Sequence, residues 1–204
     1  MSRTSTTSRM GGIALTLLLP IVSSCGNDTT GPSTALSQAQ LITAAEAMFR
    51  HTVVVSLDLP RAANGASGTE TILTCNGGGS VSTTAFISGT SDPEAGQADL
   101  DYETGTTYDQ CVEGSGAGEI AINTSANATG VIGEFTYQAF GNGDVEVEGF
   151  LIGRVEIETG TATQNCRVAY QLLGLGSAEG GSTTFNVAGD ICEAGFAFEV
   201  VVSD

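Results

Sequence analysis

Five cysteines, one histidine and a large excess of carboxylates are the residues of this 204-residue chain that could do chemistry. The cysteines are Cys25, Cys75, Cys111, Cys166 and Cys192, and no two form a CxxC pair, the spacing used by many zinc sites and thioredoxin-like centres. A hydrolase of the Ser, His, Asp kind needs a histidine beside its nucleophile. The only one is His51, on or just past a helix, where it is expected at the surface or at the helix end. Asp99, Asp101 and Glu103 alternate with Leu100 and Tyr102, which puts three acids on one side of one strand. Such a row could bind calcium, but it lacks the glycine-turned loop of a DxDxDG site, and a solvated strand face is the plainer reading. Glycoside hydrolysis needs two acids at a defined separation in a cleft, and a chain with no tryptophan and four tyrosines is poorly supplied to line one. The stretches 114–118 (GSGAG) and 174–180 (GLGSAEG) lack the GxGxxG spacing and open no helix of a βαβ unit, so they read as loops. Asn123 and Asn127 begin NTS and NAT, read here as coincidental sequons. No catalytic constellation and no cofactor motif emerges, so no enzyme is expected.

The odd cysteine has its own setting. Arg3 and Arg9 precede an uncharged run, 11–22, with Ile13, Leu15, Leu17, Leu18, Leu19 and Ile21 at its heart, and Val22, Ser23, Ser24 and Cys25 close it. The run is short of the roughly 20 apolar residues that span a bilayer, so it is expected to be cleaved as a signal peptide. Over about 25 residues this stretch resembles a bacterial lipoprotein signal with its lipobox. The resemblance implies cleavage before Cys25, a diacylglyceryl thioether on its sulfur and an acyl chain, such as palmitate, on its amino group. Residues 25–35 are then a lipidated tether, small, polar and broken by Gly and Pro. Gly26 rather than an aspartate follows the cysteine, which by the familiar sorting rule of that family favours the outer membrane.

All 23 acidic residues lie after Cys25, opposed only by Arg50, Arg61, Arg154 and Arg167, and lysine is absent. Such a surface repels phosphate backbones and anionic lipid heads, which argues against nucleic-acid binding and polybasic docking. Attachment to a membrane then rests on the acyl chains, each buried CH₂ contributing about 0.8 kcal/mol.

Residues 36–204 read as one domain. Ser37 and Gln40 have capping-box spacing and Leu36 and Leu41 are placed as a hydrophobic staple, so a helix starts at Ser37. Leu41, Ala45, Met48, Phe49 and Thr52 give it a face to bury, and it should fade at 53–55 and end before Pro60. From there short alternating runs separated by Gly, Asn, Asp and Ser predict a mainly β domain. The expected form is an antiparallel twisted sheet or sandwich of about nine strands with the helix packed on it. Strands are expected near 70–75, 80–88, 96–103, 118–124, 131–140, 144–158, 163–173, 183–188 and 195–203.

Four cysteines allow three connectivities. Pairing nearest neighbours gives Cys75 with Cys111 and Cys166 with Cys192, because sequential strands tend to be adjacent. A turn at 141–143 sets Tyr137 opposite Val147, Ala139 opposite Val145 and Phe135 over Gly149. The other face of the 145–157 run becomes apolar around Ile132, Phe150 and Ile152. The helix is the expected cover for that patch, with a partner protein or lipid as the functional alternative. The sequence thus suggests a lipid-anchored envelope protein acting as a structural or interaction module. Alternatives are a carrier of apolar ligands between helix and sheet, loosely resembling the half-barrel lipoprotein chaperones, and a calcium-dependent adhesion module.

Overall fold

The computed structural model describes residues 36–58, 67–124, 129–177 and 181–203. Cys25, the apolar run before it, the tether, Pro60, Arg61 and Asn127 lie outside them. Helix α1 opens at Ser37 with both halves of the capping box: the Gln40 N–H donates to Ser37 Oγ (3.3 Å), and the Ser37 N–H donates to Gln40 Oε1 (2.9 Å). It is α-helical over Gln38–Phe49, π-helical over Arg50–Val54, and closes with the turn Val55–Leu57. The helix therefore does not fade at its β-branched run. A π-stretch puts the backbone ladder one residue out of step, and here it keeps His51, Thr52 and Val53 buried together. Tertiary packing overrides the weak helix propensity of Thr and Val.

Ten strands follow: β1 Ser67–Thr74, β2 Ser80–Asp92, β3 Gln97–Asp109, β4 Cys111–Glu113, β5 Ile120–Asn123, β6 Gly130–Ala139, β7 Asp144–Glu158, β8 Thr163–Ser177, β9 Ser182–Ile191 and β10 Ala194–Ser203. They form one antiparallel sheet in the order β1-β2-β3-β6-β7-β8-β9-β10, with β5 pairing β7 beyond the end of β6 and β4 pairing β5. The expectation of nine strands missed β4, a three-residue piece behind the kink at Gln110, whose φ is +49°. The stretch 174–177, read as loop, belongs to β8, because its glycines lie in a strand paired on both sides. A side chain at Gly174 would strike the ring of Phe185.

β7 is one unbroken strand, and its pairing with β6 sets Tyr137 opposite Val147, Ala139 opposite Val145 and Phe135 opposite Gly149. The odd residues of β7 face inward with Leu100, Tyr102, Phe135, Tyr170, Leu172, Phe185 and Val187, and α1 lies on this face. Met48 is fully buried, the Phe49 ring meets Phe185 edge-on at 5.0 Å, and Tyr102 stacks on Phe135 at 4.8 Å. Both disulfides join the cysteines paired by proximity, Cys75–Cys111 and Cys166–Cys192.

Candidate functional site

The π-stretch delivers its side chains into a buried polar cluster. The His51 carbonyl accepts from Thr83 Oγ1 (2.8 Å), and the Thr52 hydroxyl donates to Thr106 Oγ1 (3.0 Å), which is also 3.0 Å from Thr83 Oγ1. Ser56 Oγ donates to the Thr52 carbonyl at 2.6 Å. Two π-stretch carbonyls thus take hydroxyl donors instead of being left unmet in an apolar interior, where an unpaired acceptor costs about 1–3 kcal/mol.

His51, expected at the surface or at the helix end, is 3% exposed and lies in the π-stretch toward the end of the helix, so it is not a surface residue. Its Nε2 stands 3.4 Å from Glu113 Oε1 and 3.4 Å from Arg50 Nη2, while Nδ1 is buried with no hydrogen-bond partner. Glu113 is as deeply buried, held by Arg50 Nη2 (2.9 Å) on one oxygen and by Asn76 Nδ2 (2.7 Å) on the other. Burial, reinforced by the Arg50 charge and opposed by Glu113, lowers the His51 pKa to about 4. The imidazole is therefore neutral at ordinary pH. The Tyr108 ring lies 6.0 Å from His51, and burial pushes its phenol well above the usual range.

Three separate pieces of chain build this cluster. Glu113 and Cys111 are alternate residues of β4, so both point inward. Gln110 turns the chain into β4, and its N–H is fixed by Asn123 Oδ1 (2.7 Å), whose amide donates in turn to Glu158 (3.0 Å). β4 clamps the β1–β2 turn: the Gly77 N–H donates to the Val112 carbonyl (2.8 Å), and the Val112 N–H donates to the Gly78 carbonyl (2.9 Å). Gly79, at φ +77°, sits so close to the Gln110 carbonyl that a Cβ would lie 1.8 Å from the oxygen. Only glycine fits there. This packing sets Asn76 on Glu113 and brings Cys75 to Cys111.

The opposite face of the sheet is a second candidate. Ile132 and Ile152 are directly opposed and 43% and 45% exposed, with Phe150 half-buried beside them. Ile72, Phe86, Leu173, Leu175 and Val201 are exposed on the same face. The helix, expected to cover this patch, packs on the inner face instead. That face carries the longer apolar series and most of the aromatic rings, so burying it removes more surface from water. Asp99, Asp101 and Glu103 project outward from β3 and are exposed, with Glu134 directly opposite Glu103. Alternate strand residues stand about 6.8 Å apart, so the strand sets these acids in a line. Arg154 and Arg167 oppose each other across β7 and β8, both exposed.

No known protein family, no characterised protein and no solved structure matches the chain. Its class is therefore described by its own architecture: an open, ten-stranded antiparallel sheet with one long helix on one face. Among the described residues no helix is long and apolar enough to cross a membrane.

Proposed function

We propose that this chain is a lipid-anchored protein of the bacterial cell envelope, held at the outer membrane through Cys25, which works by presenting the outer face of its sheet to a partner protein and performs no catalysis. The observation that carries the interaction reading is the Ile132–Ile152 pair, flanked by Phe150, on the face that the helix leaves uncovered. Exposed apolar residues in a contiguous patch are the usual mark of an interaction site. Support for the anchor is the charged start, apolar run and small residues converging on Cys25.

The carrier reading has less behind it. The crevice between helix and sheet bounded by Val54, Leu57, Tyr137, Val147 and Phe185 holds about 180 Å³, short of the roughly 300–1,000 Å³ of typical ligand pockets.

Two measurements test the proposal. Cys25→Ser should move the protein from the membrane fraction to the soluble one, and its retention there through carbonate washing would refute the anchor. A photo-crosslinking residue at Ile152 should give a discrete protein adduct in intact envelopes, whereas one at Asp92, exposed at the far end of β2, should not. Equal labelling from both positions, or none, refutes the binding face.

A further inference from the structure

The elements that build the buried polar cluster also gather four metal-ligating groups. One ring nitrogen of His51, the Sγ atoms of Cys75 and Cys111, and a carboxylate oxygen of Glu113 lie within 4.8 Å of one another, and all four residues are buried. Tetrahedral zinc, with Zn–S of about 2.3 Å and Zn–N or Zn–O of about 2.0–2.2 Å, separates neighbouring donors by roughly 3.3–3.8 Å. The set is close to that scale, and the main movement it needs is for the two bonded sulfurs to part. His51 Nε2 stands 3.4 Å from Glu113 Oε1, and its Nδ1 is buried with no hydrogen-bond partner, whereas buried polar atoms are nearly always paired. Glu113 is already oriented by Arg50 and Asn76, the kind of outer support that metal-binding carboxylates carry.

We propose that Cys75, Cys111, His51 and Glu113 are a thiol-gated site for a borderline-soft divalent cation, Zn²⁺ above all: shut while the sulfurs are bonded to each other, open once they are reduced. Two thiolates, an imidazole and a carboxylate are a donor set that suits zinc.

The gate opens by thiol–disulfide exchange with a dithiol reductant. One reductant thiolate attacks a protein sulfur and breaks the Cys75–Cys111 bond through a mixed disulfide. The second reductant thiol then closes its own disulfide and leaves two protein thiols, so the reductant has supplied two electrons and two protons. Zn²⁺ displaces both thiol protons, which leave to solvent. Re-oxidation by a disulfide of higher potential withdraws two electrons, rejoins the sulfurs and expels the ion. Access lies through the β1–β2 turn, where Asn76 and Gly77 are exposed, and past the half-exposed Arg50 side chain. Among the described residues Cys166 and Cys192 belong to no such cluster, so they serve as the internal control.

The test reduces the purified protein with dithiothreitol, removes the reductant without air, and titrates with Zn²⁺ or Co²⁺. The reduced protein should take up one ion per chain, with thiolate-to-cobalt charge-transfer bands and release of two protons, and the oxidised protein none. Alkylation after zinc loading should spare Cys75 and Cys111 and modify Cys166 and Cys192, a readout that needs no variant. His51→Gln and Glu113→Gln should each weaken binding, and Asn76→Ala, which removes only support from Glu113, should weaken it roughly 10–100-fold. The proposal is overturned if reduced and oxidised protein bind zinc alike, if all four cysteines are alkylated equally, or if His51→Gln leaves the affinity unchanged. It is equally overturned if reduction unfolds the protein and zinc does not restore its circular dichroism.

Discussion

Lowering the pH from 7 to 4 should cost the folded protein about 3 kcal/mol through His51 alone. The folded-state pKa is lowered to about 4 from the ordinary 6.5. Between those values the unfolded chain binds a proton that the folded chain refuses, so stability falls as the pH falls. At pH 7 the ring is mostly neutral in both states and the penalty is only about 0.2 kcal/mol. With 1.36 kcal/mol per unit of pKa difference, the loss grows to about 2 kcal/mol at pH 5 and about 3 kcal/mol at pH 4. The measurement is a difference, so that pH effects common to both proteins cancel: urea unfolding of the native protein and of His51→Gln at each half-unit of pH. Glutamine keeps a neutral polar group, and the gap between the two proteins should shift by these amounts in the variant's favour as the pH drops. If the gap stays flat, attraction to Glu113 cancels desolvation, and if it moves in the native protein's favour the attraction wins and the ring is held as a cation; either result refutes the reasoning.

Adjacent residues of β7 should respond in opposite ways. Leu151→Ala, on the buried face, should lose about 2–5 kcal/mol, whereas Ile152→Ser, on the open face, should stay within about 0.5 kcal/mol of the native protein; equal losses in chemical denaturation would mean the outer face is covered. Gly149→Ala places a Cβ 2.3 Å from the Phe135 Cβ and from the Glu134 carbonyl oxygen, so it should lower stability by about 1–3 kcal/mol by overpacking, visible as a reduced melting temperature. Replacing Cys166 and Cys192 together by alanine should cost about 2–4 kcal/mol. A non-reduced peptide map should recover only Cys75–Cys111 and Cys166–Cys192.

Local signals carried most of the architecture. The start of α1 was legible because a capping box is a four-residue pattern. The β6–β7 register was legible because a one-residue slip would have set Tyr137 against Glu148. Which face of β7 takes the helix was not legible. Around Phe150 both faces turn apolar, and alternation alone does not rank them. The π-stretch was hidden because a β-branched run such as 53–55 normally argues for extended structure, and the hydroxyls that meet its carbonyls come from Thr83, distant on β2, and from Ser56. The His51–Glu113 cluster was invisible for a related reason. Its members come from α1, the β1–β2 turn and β4, and no spacing along the chain announces that these meet. The one available hint was Cys111 and Glu113 at alternate positions, a pattern too common to stand out.

The sheet remains open, ending at β1 on one side and β10 on the other. β10 reads AGFAFEVVVS, with Glu199 its only charge and neither lysine nor proline to blunt it. Among the described residues no strand pairs its outer edge, and the unpaired N–H and C=O groups of an edge strand are a template on which another extended chain can grow. The defence against such polymerisation is then collective, resting on mutual repulsion among 23 carboxylates. That defence disappears when acid neutralises them and weakens when salt screens them, so acidified or concentrated, salted solutions are where this protein should begin to form fibres.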